Sequence, residues 1–307
     1  VGTDLVAGGN GDEERGYLRG FNTYHKEKDG GPIISSINGV VEVTDCVVSV
    51  RGLSPKYLPE IGDVVVGIIV DVAGNRWRVE VGSMQDAVML LSNVTEPGGI
   101  LRRRGRDDEL TMRRIFKEDD VVVAEVQRIS PDGLISLHTR TAEKYGKMSS
   151  CGRLVRVKPS LIRRTRHQFQ TFLTFGVHIV VGMNGFVWIE VASKDQMGEA
   201  VAKNAKRKAD AEHDDTDDEG EHDADYDPSE ELAETELIQN MSLFSNAVDV
   251  LGRNNVVVFG RTILAAVKFC LQQGWKPYDV LRPENQQSIV RAAKDSLLLQ
   301  QRKRRRQ

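Results

Sequence analysis

Features that mark several common classes of protein are scarce in this sequence of 307 residues. Its 3 cysteines, Cys46, Cys151 and Cys270, are odd in number and far apart, which excludes a disulfide framework and a cysteine-based metal site. No apolar run reaches the roughly 18 residues of a membrane-spanning helix, and no charged-then-apolar leader is visible. We therefore expect a protein of a reducing compartment without membrane association, built from two or three small domains.

Motifs of the common enzyme classes are also absent. The sequence has no G-x-S-x-G, no Cys/His motif, no glycine-rich phosphate loop between strand and helix, and no H-E-x-x-H. A calcium loop starting at Asp215 fails because Tyr226 stands where a bidentate Glu is required. The adjacent carboxylates Asp107, Asp108 and Glu109 could bind Mg²⁺ in a ribonuclease, or could be salt-bridge partners of the surrounding arginines. We expect no cofactor, no metal and no catalytic residue.

Aromatic residues make up only 6% of the chain, so an extended base-stacking platform is not expected. Trp77 alternates with Val79 and Val81, which favours packing in a core. His138 lies on a predicted strand, where it could contact RNA, have a structural role or simply be exposed.

What the chain has is an uneven distribution of charge. Its 42 Lys and Arg against 45 Asp and Glu give a net charge of −3. Between Asp210 and Glu236, however, 15 residues are acidic and none is basic, so the remaining 280 residues carry a net charge of +12. A basic body suggests a polyanionic partner, and the acidic block has the composition of a disordered insertion.

Short β-rich runs begin at Gly30 and predict a small all-β module that ends near Pro59. Asn38-Gly39 separates two of these runs, from Ile33 to Ile37 and from Val40 to Val43, and is the strongest short signal for a hairpin turn. The first fifteen residues are rich in Gly, Asp and Glu without periodicity, and we expect them to be disordered.

A second series predicts five strands at 64–72, 76–82, 86–92, 121–129 and 134–140. The interruption from Pro97 to Asp120 should hold one helical turn around Glu109 to Phe116. This pattern fits a small OB-type barrel, and an SH3-like barrel fits the strand count nearly as well.

Arginines are concentrated in the interruption of this barrel. From Leu101 to Gln168 there are 17 Lys or Arg and 9 Asp or Glu. Arginines on a barrel loop can pair with phosphates and stack on bases, whereas a solvated loop is the simpler alternative. The candidates for RNA binding in this loop are Arg102, Arg103, Arg104, Arg106, Arg113 and Arg114.

The last part of the chain is predicted to be α+β. Strands at 154–157 and 176–191 precede the charged insertion, and helices should follow after an N-cap at Ser229, at 261–273 and at 284–301. Gly182, Met183, Asn184 and Gly185 resemble the GXXG loop of KH domains. The loop lies between strands and its central residues are not basic, so we interpret it as a structural turn.

Taken together, these motifs resemble the S1/KH cap subunits of the eukaryotic RNA exosome. The resemblance covers about residues 16–185 and the C-terminal helices, and the charged insertion departs from it. The pieces that carry it are Gly16-Tyr17-Leu18-Arg19-Gly20, Gly62-Asp63-Val64-Val65-Val66-Gly67, Arg76-Trp77, Leu90-Leu91-Ser92, Pro97-Gly98-Gly99, Asp108-Glu109-Leu110, Met112-Arg113, Ser136-Leu137-His138-Thr139-Arg140, Lys144-Tyr145-Gly146-Lys147, and Gly182 to Phe186 with Trp188.

The resemblance implies a non-catalytic subunit that binds single-stranded RNA, an RNase PH-like ring and other cap subunits. Such a subunit stabilises the ring and guides RNA to 3′–5′ processing and decay in the nucleus, nucleolus and cytoplasm. It adds His138, Arg140, Lys144 and Lys147 to the candidates for RNA contact. A free-standing S1-domain RNA-binding protein and the metal-dependent ribonuclease remain the alternatives.

The predicted organisation follows from both the patterns and the resemblance. Residues 16–60 form an N-terminal β domain, residues 61–148 an S1 domain of the OB fold, and residues 149–301 a KH-like domain with a disordered insertion at 193–228. Residues 302–307 are a basic tail that could be a nuclear localisation signal or a solvated helix end.

Overall fold

The computed structural model describes residues 4–6, 17–25, 32–52, 56–95, 106–140, 145–165, 168–209 and 233–304, and the chain divides into two compact units, residues 1–55 and 56–307. None of the helices in these ranges is long and apolar enough to cross a membrane. The three cysteines are free: Cys46 and Cys151 are exposed, whereas Cys270 is buried.

The first unit is all-β, as predicted, and consists of two three-stranded sheets in the order β1-β4-β3 and β2-β6-β5. The second sheet combines a parallel β2–β6 pair with an antiparallel β5–β6 pair. The strands are β1 (Asp4–Val6), β2 (Leu18–Arg19), β3 (Thr23–His25), β4 (Ile33–Ser35), β5 (Gly39–Thr44) and β6 (Val47–Gly52).

The hairpin predicted at Asn38-Gly39 is wrong. β4 is the central strand of its sheet and pairs with β1 and β3, which leaves it no free edge for β5. The hairpin turn lies instead at Asp45 and Cys46, between β5 and β6, where Asp45 adopts a positive φ of 53°. Aspartate tolerates this backbone conformation better than most residues. β1 falls within the segment expected to be disordered, and the other residues of that segment lie outside the described ranges.

The second unit begins with a five-stranded barrel in which β7 pairs with β8 and β10, and β11 pairs with β9 and β10. The β9–β11 pair is parallel, and two short helices lie between β9 and β10. This closed arrangement is the OB-type barrel of the prediction. Its elements are β7 (Val64–Ala73), β8 (Arg76–Glu80), β9 (Ala87–Leu90), α1 (Arg106–Leu110), α2 (Met112–Ile115), β10 (Val121–Ile129), β11 (Ile135–His138) and the added edge strand β12 (Gly146–Lys147).

Trp77 lies at the centre of the barrel core, as its alternation with valines predicts. Its side chain is fully buried, and its indole Nε1 donates a hydrogen bond to the Phe116 carbonyl oxygen at 3.0 Å. The ring of Phe116 meets Trp77 edge-on at 5.3 Å. This contact ties the end of α2 to the core beneath the barrel surface.

The α+β part of the second unit has a four-stranded sheet in the order β13-β16-β15-β14. β15 and β16 are apolar almost throughout because both of their faces are covered. β14 was not predicted from the sequence. The elements are β13 (Gly152–Arg156), β14 (Phe169–Phe172), β15 (Val177–Val181), β16 (Phe186–Val191), α3 (Lys194–Ala209), α4 (Glu234–Arg253), α5 (Gly260–Gln272) and α6 (Pro283–Arg304).

One face of this sheet packs against α4 and α5, and the other faces the barrel. Ile179, Val187 and Ile189 share a core with Phe244 and Val267 on the helix side. On the opposite side a separate cluster joins barrel and sheet; its buried members are Val64, Val66, Val123, Val180, Phe186 and Trp188. The sheet is therefore held between the helices and the barrel.

Helix α3 occupies the first part of the insertion that we expected to lack regular structure, so the prediction is wrong for residues 194–209. This segment contains 4 Ala and 4 Lys among its 16 residues, and both are strong helix formers. The prediction of disorder gave too much weight to the charge of this segment and too little to its helix propensity. Residues 210–232, including the predicted N-cap Ser229, lie outside the described ranges, and Ala233 is the N-cap of α4.

Candidate nucleic-acid interface

The outer face of β8, β9 and β11 combines exposed basic and apolar side chains. Arg76 and Leu90 are opposite each other in the β8–β9 register, as are Arg78 and Val88. Arg76, Arg78 and Leu90 are exposed, while Trp77 points into the core between the two arginines. Cations beside an exposed apolar side chain can bind a phosphate backbone and contact a base.

Arg76 and Arg78 were missed as candidate site residues, although the sequence contained a signal for them. The alternation that places Trp77 and Val79 in the core also places the residues between them on the outside. Arg78 pairs with Asp86 at 3.4 Å, and both side chains are exposed, so solvent screens this pair strongly.

Arg113 and Arg114 lie on α2 but differ in their contacts. The Arg113 guanidinium pairs with Glu118 at 2.6 Å and also donates to the Val72 carbonyl oxygen at 3.3 Å. Hydrogen bonds from Arg113 lower the pKa of Glu118 below its ordinary value. Arg114 is exposed. Arg113 is therefore partly engaged in holding α2 against the barrel, and Arg114 is the more accessible of the two cations.

His138 and Arg140 lie at the end of β11 and just beyond it. The backbone N–H of Arg140 donates to His138 Nδ1 at 3.4 Å, and the Arg140 guanidinium donates to the Ser92 carbonyl oxygen. The neighbouring Thr139 is buried, and its backbone N–H bonds the Asn93 carbonyl oxygen at 3.0 Å. These bonds fix the segment that presents His138 and Arg140 at the margin of the β8–β9–β11 face.

The remaining candidates are distributed more widely. Lys147 on β12 pairs with Asp120 at 2.9 Å, so much of its charge is already neutralised. Arg106 begins α1. Arg102, Arg103, Arg104 and Lys144 lie outside the described residues.

The carboxylates proposed for a ribonuclease are consecutive residues of helix α1. Neighbouring residues of a helix do not face each other, so Asp108 and Glu109 lie on different faces, and the side chain of Asp107 lies outside the described residues. Asp108 is buried, whereas Glu109 is exposed. Within the described ranges, no group of three or more His, Cys, Asp or Glu side chains could hold a metal ion.

The KH-like turn between β15 and β16 is inserted against the barrel. Asn184 is only 1% exposed, and its amide Nδ2 donates to the carbonyl oxygens of Val66 at 2.7 Å and Val81 at 2.9 Å. The N–H of Val66 donates to Asn184 Oδ1 at 3.3 Å, and the N–H of Met183 donates to the Val64 carbonyl oxygen at 2.9 Å. The polar groups that could clamp a nucleotide bind the barrel backbone instead.

Both glycines of the turn are required by this close packing. A Cβ on Gly182 would lie 2.9 Å from the Val66 nitrogen. Gly185 has a φ of +86°, which L side chains rarely adopt, and a Cβ there would lie 2.3 Å from the Val157 carbonyl oxygen. These contacts support the structural role that we predicted for residues 182–185.

Comparison with known proteins agrees with this architecture. A family model described as "RRP4, S1 domain" matches residues 56–128, and one described as "KH domain" matches residues 152–195. The Exosome complex component RRP4 of Bos taurus is 35% identical over 288 residues, which cover 94% of this chain and 88% of the relative.

The chain belongs to the RRP4 family of exosome complex components. Its RRP4 homolog in Arabidopsis thaliana is 44% identical over 173 residues, 56% of this chain and 52% of the relative. The RRP4 of Saccharomyces cerevisiae is 41% identical over 178 residues, 58% and 48% of the two chains. The resemblance to exosome cap subunits, and to ribosomal-RNA-processing protein four among them, is thus confirmed, as is the fold class of β domain, S1 barrel and KH-like domain. The domain boundaries remain predictions.

Proposed function

We propose that this chain is a non-catalytic, RNA-binding cap and scaffold subunit of the RNA exosome. The observation that carries the proposal is the similarity to exosome RRP4 proteins over 94% of the chain, including an S1 domain with an open basic face. The protein stabilises a ring of RNase PH-like subunits beside other S1/KH cap subunits, and guides single-stranded RNA to a separate 3′–5′ exonuclease. Its locations are the nucleus, including the nucleolus, and the cytoplasm.

The proposed RNA path follows the barrel. It is formed by Arg76, Arg78 and Leu90 on the outer face, with His138 and Arg140 at the margin, and by the arginines that follow Gly99. Two features support it: exposed guanidinium groups and an adjacent apolar surface. Arg114 and Lys147 lie on the same barrel, with Arg114 the more available for phosphate.

Affinity purification of the tagged chain from cell extract tests the assembly. We expect RNase PH-like proteins and other S1/KH proteins to co-purify in a large particle. A chain that sediments alone in native extract would instead favour the free-standing RNA-binding protein. RNA degradation by the purified chain with Mg²⁺, abolished by Asp108→Asn with Glu109→Gln, would contradict the non-catalytic role.

The RNA path is tested by replacing Arg102, Arg103 and Arg104 with Ala. Each phosphate contact to a single strand contributes about 0.7 to the slope of log affinity against log salt, so three lost contacts should reduce the slope by about 2. Fluorescence anisotropy with labelled oligouridine across a salt series measures it. An unchanged slope would remove these three residues from the path.

A further inference from the structure

The α+β part of the second unit has an unusual charge distribution that the barrel path does not account for. Residues 149–189 contain 6 Lys or Arg and no Asp or Glu. Two of these cations form ion pairs with carboxylates of the barrel region: Arg156 with Glu80, and Arg164 with Glu60 and Asp63.

Arg153 and Lys158 are held differently, by neutral oxygens. Arg153 Nη1 donates to Asn246 Oδ1 at 3.3 Å, and Lys158 Nζ donates to Asn255 Oδ1 at 2.8 Å. Asn246 is itself fixed, because its Nδ2 donates to the Pro277 carbonyl oxygen at 2.6 Å. Amide oxygens orient these two cations without neutralising their charge, and neither cation forms an ion pair within the described part of the chain.

Both cations lie along one accessible border of the sheet. Arg153 is in β13, the edge strand, and Lys158 follows two residues after its end; both are exposed. The nearby carboxylates of α4 and the segment after α5 are already paired within their own elements: Asp249 with Arg253 at 2.7 Å, and Asp279 with Arg282 at 3.2 Å. Arg153 and Lys158 therefore remain exposed cations that form no ion pair with a carboxylate of the described residues.

We propose that Arg153 and Lys158 form a second contact for the phosphate backbone of single-stranded RNA, on the β13–α4 border of the KH-like domain. A guanidinium can bind phosphate through two hydrogen bonds, and an ammonium binds it as a point charge. Because asparagines already restrict both side chains, less rotamer entropy is lost on binding. The inference rests on the proposed RNA-binding function, which favours RNA over an acidic protein as the ligand.

Lys158 lies beside the KH-like turn, because the Val157 N–H donates to the Gly185 carbonyl oxygen at 2.8 Å. The proposed contact uses other groups than the turn, which lies between β15 and β16 and binds the barrel through Asn184. The domain thus loses its turn as a nucleotide clamp but retains a basic border on the strand at the sheet edge.

The test is anisotropy of the full chain with labelled oligouridine across a potassium chloride series. Arg153→Gln with Lys158→Gln should weaken binding about tenfold and reduce the salt slope by about 1.4, the contribution of two phosphate contacts. Lys268→Gln with Lys294→Gln removes the same charge from exposed positions on α5 and α6, and should change affinity less than about twofold.

A charge-preserving pair, Arg153→Lys with Lys158→Arg, separates contact from folding and should retain most of the affinity. Wild-type affinity and slope in the glutamine pair would overturn the proposal, as would an equal loss in the Lys268/Lys294 control. If the Arg102/Arg103/Arg104 alanine variant binds normally while the glutamine pair is weak, the barrel path fails and this contact stands. The reverse result overturns this contact alone.

Discussion

The barrel face and the KH-like turn both carry sequence features of RNA-binding domains. The barrel face exposes its polar groups to solvent, whereas the turn buries them against the barrel. On β8, Arg76 and Arg78 are exposed, whereas Asn184 in the turn is 1% exposed. All three hydrogen bonds of the Asn184 side chain go to the backbone of the barrel. A group whose bonding capacity is satisfied inside the protein has little left for a ligand.

A resemblance to an RNA-binding domain therefore does not by itself show which surface of that domain is accessible to a ligand. The S1 barrel has an exposed face. The GXXG-like turn of the KH-like domain, in contrast, is buried against the barrel. Next to this turn, a hydrophobic cluster that includes Val66, Phe186 and Trp188 packs the sheet against the barrel. The turn therefore holds the sheet of the KH-like domain against the barrel.

The largest effect is expected from removing the hydrogen bonds of Asn184 to the barrel. Asn184→Ala leaves buried backbone groups of Val66 and Val81 without partners, which should lower the free energy of unfolding by about 3 kcal/mol. Urea unfolding measures it. Asn75→Ala, in the exposed turn between β7 and β8, is the matched control and should cost less than about 0.5 kcal/mol.

RNA binding by this variant sharpens the comparison. Under conditions where Asn184→Ala remains folded, its affinity for single-stranded RNA should stay within about twofold of wild type, because the turn makes no RNA contact. A tenfold loss from a folded variant would show that the turn belongs to the binding surface.

A smaller effect is expected on the barrel face. Arg76→Gln should weaken RNA binding about fivefold and reduce the salt slope by about 0.7, with no measurable change in unfolding. Lys268→Gln removes an exposed cation from α5, outside the barrel, and should leave affinity close to wild type. Equal losses in the two variants would indicate general charge attraction without a defined path.

Much of this comparison could be predicted from the sequence, because it depends on local patterns. The alternation around Trp77 and the five apolar runs predicted the barrel. The non-basic central residues of the segment from Gly182 to Gly185 indicated a structural turn. The partners of Asn184 could not be predicted, since Val66 and Val81 are 118 and 103 residues away along the chain.

Other misses have equally physical causes. The hairpin was assigned to Asn38-Gly39 because turn propensity is local, but the central position of β4 in its sheet decided the pairing. β14, with Phe169 and Phe172, was missed because it follows a basic segment and is only four residues long. Arg153 and Lys158 could not be predicted as site residues, because only the fold brings them next to Asn246 and Asn255.

The smallest expected effect concerns the ion pair between Arg113 and Glu118. Arg113 lowers the pKa of Glu118, so this carboxylate contributes stability above its ordinary pKa of 4.5 and loses it as the pH falls through its lowered value in the folded state. Glu118→Gln should therefore unfold with a slightly flatter pH dependence in that acidic range. Urea midpoints measured across it, at low and high salt, test this; the difference should shrink at high salt.

The most direct test of the central claim is crosslinking of the full chain to RNA that contains 4-thiouridine, followed by mass spectrometry of the peptides. We expect crosslinks on the barrel between Arg76 and Arg140, and none at residues 182–185. Crosslinks at Met183 or Asn184, with the barrel face unlabelled, would contradict the account.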